Sequence, residues 1–134
     1  MTFPGVEAAL RTKLVGSSAV TAIVGQKVYN LQAPAKTLLP YVVFYSASDI
    51  LPNIVPRDTF NNVYRVECWA STGAGMDALA AVIEDILHKQ SLSLSGWTNY
   101  WMAVEGRKVF IENVDGVQYY RRVHDIRIKA SKNS

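Results

Sequence analysis

Residues 61–70 read NNVYRVECWA, and residues 73–89 read GAGMDALAAVIEDILHK. In the first run Tyr64, Val66, Cys68 and Ala70 share one parity, while Arg65 and Glu67 take the other. That period of two marks a strand with one face buried. Trp69 adds an aromatic to the polar face. In the second run Met76, Leu79, Val82, Ile83, Ile86 and Leu87 recur three and four apart, leaving Asp77, Glu84, Asp85 and Lys89 off the stripe. This is an amphipathic helix. Thr72 stands where its hydroxyl can accept from a first-turn amide. A strand runs into the helix that covers its sheet, and neither carries chemistry of its own.

Outward from this pair, Pro4–Val15 predicts a first helix, with Val6, Ala9, Leu10 and Leu14 as its stripe and Pro4 where a missing amide costs nothing. Ser18 caps a short helix, Ala19–Val24, closed by Gly25. Lys27–Leu31 predicts a short strand, and Tyr41–Ser48 (YVVFYSAS) is β-branched and aromatic, as strands are. Downstream, Gln90–Gly96 reads as a polar connector. Asn99–Val104 and Arg107–Asn113 read as two strands turning at Glu105-Gly106. Asp115-Gly116 is a hairpin signal, because both residues tolerate positive φ. Val117–Ala130 is the last strand; its parities conflict, since Val123 opposes Ile126 and Ile128, so a bulge is expected near His124–Asp125. The whole predicts one α+β domain: a mainly antiparallel sheet of four to six strands, with one long and one or two shorter helices on one face.

Asp49–Phe60 (DILPNIVPRDTF) has two prolines and no period, yet it holds Ile50, Leu51, Ile54, Val55 and Phe60. A solvated loop rarely spends so many apolar residues. It reads either as a loop that folds back on its own domain or as a protruding arm, with Ile50, Leu51, Ile54, Val55, Arg57 and Phe60 set against a neighbouring subunit. Covering its five apolar side chains would gain on the order of 10 kcal/mol before association costs.

At 134 residues and 49% hydrophobic, the chain can bury a core without disulfides or metals. Residues 131–134 are expected to form a flexible tail. No run approaches membrane-spanning length, so no membrane partner is expected. The formal charge of +3 is uneven. Residues 119–134 hold Arg121, Arg122, Arg127, Lys129 and Lys132 against Asp125 alone; the rest holds nine basic and ten acidic groups. Such a basic strand either keeps an exposed face or edge strand soluble or meets a polyanion or acidic surface.

Catalytic signatures are missing from the sequence. His88 and His124 lie far apart, outside any metal-ligand spacing. Glu84 and Asp85 diverge around a helix, and His124 and Asp125 oppose each other on a strand. Cys68 sits on the apolar parity, where a thiol is inert. No phosphate loop, nucleophile elbow or dinucleotide fingerprint occurs. No enzyme and no cofactor are expected. Tyr119, Tyr120, Arg121 and Arg122 mix the residue types that stack bases and neutralise phosphates, which keeps a small basic nucleic-acid-binding α+β module as the alternative.

Four passages, in order, resemble the tail completion proteins of long-tailed bacteriophages, also called tail terminator or tail-to-head joining proteins. The helix with Ala8-Ala9-Leu10 leads into SAVTAIVGQKVYNL (18–31). LPYVVFY (39–45) is similar to the family's proline-led strand. YRVECWAST (64–72) precedes an alanine-rich helix, and GVQYYRRVHDIRI (116–128) resembles the closing strand, with Ile126 where the family often has an aromatic. The resemblance implies a structural virion protein at the head-proximal end of the tail, made in the bacterial host cytoplasm. It implies a hexameric ring, hence a homo-oligomer, that caps the tail tube and terminates its polymerisation. The partners so implied are the tail tube protein and head-tail connector proteins, with DNA passing through the lumen without sequence specificity. Arg121, Arg122, Arg127 and Lys129 would then line the lumen or face acidic neighbours.

Overall fold

The computed structural model describes residues 5–49 and 59–133. Ile50, Leu51, Ile54, Val55 and Arg57 lie outside the described residues. In chain order the elements are α1 (Val6–Val15), α2 (Ser18–Val24), β1 (Val28–Asn30), β2 (Tyr41–Asp49), β3 (Thr59–Ala70), α3 (Gly73–Leu87), β4 (Ser93–Leu94), β5 (Trp97–Val114) and β6 (Val117–Lys132).

The central pair forms as its periods dictate. In β3, Tyr64, Val66, Cys68 and Ala70 are buried on one face. The Thr72 hydroxyl accepts from the Gly75 amide at 3.0 Å and starts α3. Met76, Leu79, Ala80, Ile83 and Leu87 form the helix's buried stripe, with Val82 and Ile86 at its margins. These side chains meet Leu10 and Leu14 of α1, Val20 and Val24 of α2, Phe44 of β2 and Ile126 and Ile128 of β6 in one core. Truncating a fully buried member such as Leu79 to alanine costs about 2–5 kcal/mol. The phenol of buried Tyr64 donates to Glu7 Oε1 at 2.9 Å, tying α1 to β3. α2 begins one residue earlier than expected: Ser17, not Ser18, is its N-cap, and that side chain makes no capping bond.

The six strands lie in the order β1-β2-β3-β6-β5-β4. Neighbours are antiparallel except β1 and β2, which run parallel with Val28 beside Val42. β6 is therefore a central strand, not an edge. It keeps strict alternation: Ile126, Ile128 and Ala130 face the helices, whereas Val123 is buried on the opposite, open face between Glu67 and Lys108. The bulge expected in β6 lies instead in β5.

β5 runs unbroken through Glu105-Gly106, where a turn was expected. Its register slips there and again at Tyr100, one extra residue each time. A bulge absorbs one residue without reversing the chain, and Gly106 is not among the residues with positive φ. The reversal comes at Asp115 (φ 52°) and Gly116 (φ 81°), as their types require. The connector before β5 also holds β4. Leu92 there is buried, and its amide donates to Asn99 Oδ1 at 2.8 Å. Ser131 and Lys132 close β6 instead of trailing as a tail, and the Asn133 amide donates to Gly96 O at 2.9 Å. Phe60 belongs to β3 opposite Ala130 and packs against the core, so it is a strand residue and not part of a loop.

Candidate functional site

Alternation along four paired strands builds the open face, the one without helices. Tyr41, Trp69, Arg121 and Phe110 stand abreast across β2, β3, β6 and β5; Tyr45, Arg65, Asp125 and Gly106 form a second row. Tyr41 stacks on Trp69 at 5.6 Å, and Tyr119 meets Trp69 edge-on at 6.1 Å. The Arg121 guanidinium lies 5.0 Å over the Trp69 ring and 4.5 Å over the Phe110 ring, within cation–π range. Glu67, nearly buried, anchors the group. It accepts from Tyr45 Oη at 2.7 Å, Trp69 Nε1 at 3.1 Å and Arg121 Nη1 at 3.3 Å. Burial raises the Tyr41 and Tyr45 phenol pKa values, and Glu67 adds to both effects.

Three of the four expected basic residues, Arg121, Arg127 and Lys129, share this face. Two of them are paired within the chain. Arg121 Nη2 is 2.8 Å from Glu112 Oε1, and Arg127 Nε is 2.6 Å from Glu105 Oε1. Lys129 Nζ lies 6.0 Å from the Trp101 ring centroid. Arg122 points to the helix face and meets Asp77 of α3 at 3.0 Å. Tyr119 and Tyr120 split between the faces in the same way. Adjacent aromatics and guanidiniums in a strand cannot form one stacking platform, because consecutive side chains oppose each other. The acidic partners come from β3, β5 and α3, so no local sequence pattern announced them.

Both histidines serve the fold. His88, at the end of α3, accepts the Val104 amide on Nδ1 at 3.0 Å. His124 is fully buried, and neither ring nitrogen has a hydrogen-bond partner. Its Nε2 is 3.6 Å from Glu84 Oε2. Burial lowers its pKa, with Glu84 opposing and Arg107 and Arg122 assisting that shift. Cys68 is buried, and desolvation pushes its thiol up to about 12. Among the described residues, no three His, Cys, Asp or Glu side chains converge as a metal site, and no helix is long and apolar enough to cross a membrane.

Exposed apolar surface gathers at two places that the sequence reading missed. One is the outer edge of the β5–β6 hairpin, where Val109, Phe110, Ile111, Val114 and Val117 are exposed. β4 pairs only with Trp97 and Thr98, leaving the rest of the β5 edge without a neighbour among the described strands. The other is the connector between β1 and β2, with Leu31 and Leu38 exposed. This connector walls a cleft of about 380 Å³ whose floor includes Tyr41, Trp69 and Tyr119.

The fold is α+β, a six-stranded mixed sheet with helices on one face. The sequence model of the family described as tail completion protein gp17 matches residues 8–130. The chain belongs to that family and is a structural protein of a bacteriophage tail. Its fold is similar to a chain in the virion of a native gene transfer agent particle: 18% identity, 94% of each chain covered, TM-score 0.72. A second solved structure is 12% identical, covers 96% of this chain and 94% of its own, and has a TM-score of 0.55. No curated protein matches.

Proposed function

We propose that the chain assembles as a hexameric ring on the head-proximal end of the tail tube. There it ends tube polymerisation and offers the surface that joins the head connector. The family match carries this reading. The exposed apolar hairpin edge supports it, because unpaired strand edges template pairing with another chain. In this reading the protein acts through contact rather than catalysis, in keeping with a desolvated Cys68, a sealed His124 and the ion pairs of Arg65, Arg121 and Arg127 on the open face. The apolar segment with Ile50, Leu51, Ile54 and Val55 is proposed as an additional subunit contact on its composition. DNA passing the ring would meet a largely self-neutralised strand and slide past without sequence recognition.

The test is tail length. Tails assembled without the protein should be overlong and headless in negative stain, and adding the purified chain should restore a uniform length. Uniform tails in its absence would contradict the reading.

A further inference from the structure

Among the described residues, nine large hydrophobic side chains are exposed, and seven of them belong to the β5–β6 hairpin. The other two, Leu31 at 70% and Leu38 at 78%, lie beside β1 at the far side of the sheet. β1 and β5 are four strand spacings apart, about 19 Å. They are two different surfaces, although the cleft beside the connector reaches Tyr119 of β6. A two-fold contact needs one self-complementary surface; a head-to-tail contact that closes into a ring needs two different ones.

We propose that the hairpin edge of one copy, from Val109 to Val117, seats on the connector 31–38 and its cleft in the next copy. This rests on the ring reading and names its interface. The occupant is a second copy of this chain on three grounds. The five hairpin residues, with Phe110, Val114 and Val117 on the open face and Val109 and Ile111 on the other, together expose roughly 400 Å², about half of one side of a standard interface. The tip carries Asp115, beside a Glu112 that already pairs with Arg121, while the connector carries Lys36 and is braced by the Lys27 ammonium, which donates to Leu38 O at 2.9 Å. The cleft of about 380 Å³, open and largely polar in its lining, has room for side chains of the size found at that tip, Val114 and Val117.

Cross-linking tests this, because the only native thiol, Cys68, is buried and silent. A full-length Leu38→Cys/Ile111→Cys double variant is treated with a bis-maleimide, both free and after assembly on tails. It should give a ladder ending at the closed oligomer. Each single variant should give none, and the two singles mixed should stop at dimers. Leu38→Asp and Ile111→Lys should each weaken assembly at least 10-fold. Dimers from Ile111→Cys alone would mean edge-to-edge pairing and overturn the proposal. A wild-type ring seen by mass, with no ladder from the double variant, overturns the interface and leaves the ring standing. A wild-type chain that stays single both in solution and on tails overturns both.

Discussion

Arg121 and Glu67 face each other across the β3–β6 pair, Nη1 to Oε2 at 3.3 Å, with the guanidinium held between the Trp69 and Phe110 rings. This pair, with Arg121–Glu112, Arg122–Asp77 and Arg127–Glu105, offsets the arginine charge of a basic-looking strand. Glu67→Ala strands Tyr45 Oη, Trp69 Nε1 and one arm of Arg121 together, so it should cost about 3 kcal/mol. Glu112→Ala removes the more exposed partner of the same arginine and should cost under about 1 kcal/mol. Urea unfolding of both variants measures the gap; equal costs would contradict this role for Glu67.

Nucleic-acid affinity should be weak for the same reason. Arg121, Arg122 and Arg127 already pair with Glu67, Glu112, Asp77 and Glu105. Binding to a duplex at physiological salt should stay near the non-specific range, a Kd of about 10⁻⁴ M or weaker. Fluorescence anisotropy with labelled DNA checks this. Tight binding that collapses steeply with salt would restore the nucleic-acid-binding alternative.

His124 makes stability depend on pH in one direction. Its folded pKa lies below the unfolded value of 6.5 because burial disfavours the cation. Between those two values the unfolded chain holds a proton that the folded chain does not. The contribution is therefore whole above pH 6.5 and falls as pH drops through the window, by up to about 1.4 kcal/mol per pH unit. Glu84, Arg107, Arg122 and Asp125 surround the ring. The Glu84 carboxyl sits below its usual range because Arg107 bonds it, so its loss comes at lower pH. His124→Leu should flatten the slope between pH 6.5 and 5 relative to wild type, and thermal denaturation across that range reads it.

Cys68 should ignore thiol reagents in the folded protein. A buried thiol pushed up to about 12 is neutral at pH 8. Mass spectrometry after hours with iodoacetamide should find it unmodified, and labelling should follow promptly in urea.

The strand–helix unit was legible because its signals are local. Parity in β3, spacing in α3, the Thr72 cap and the Asp115-Gly116 turn each concern residues within a few positions of one another. Strand order is not local. Nothing within Val117–Lys132 says that β6 lies between β3 and β5, so its charges fitted an exposed face, an edge strand or a polyanion site. Glu105 looked like a turn residue because a bulge and a turn share their residue types, and only pairing with Asp125–Ile126 separates them. The apolar β5 edge was hidden for a similar reason: the period of Arg107–Asn113 marks a strand but does not say that the helices leave its Val109–Ile111 stretch uncovered.

The segment with Ile54 and Val55 is proposed to act in assembly. Ile54→Asp and Val55→Asp should leave the circular dichroism spectrum and melting temperature unchanged while reducing oligomer formation by size-exclusion chromatography. Wild-type assembly in both variants would remove that segment from the interface.

The most direct measurement is position. Tails assembled with gold-labelled full-length chain and imaged by electron microscopy should carry label at one end of the tube only, the end that receives the head, with a closed ring resolved there. Label scattered along the tube, or at the opposite tip, would contradict the account.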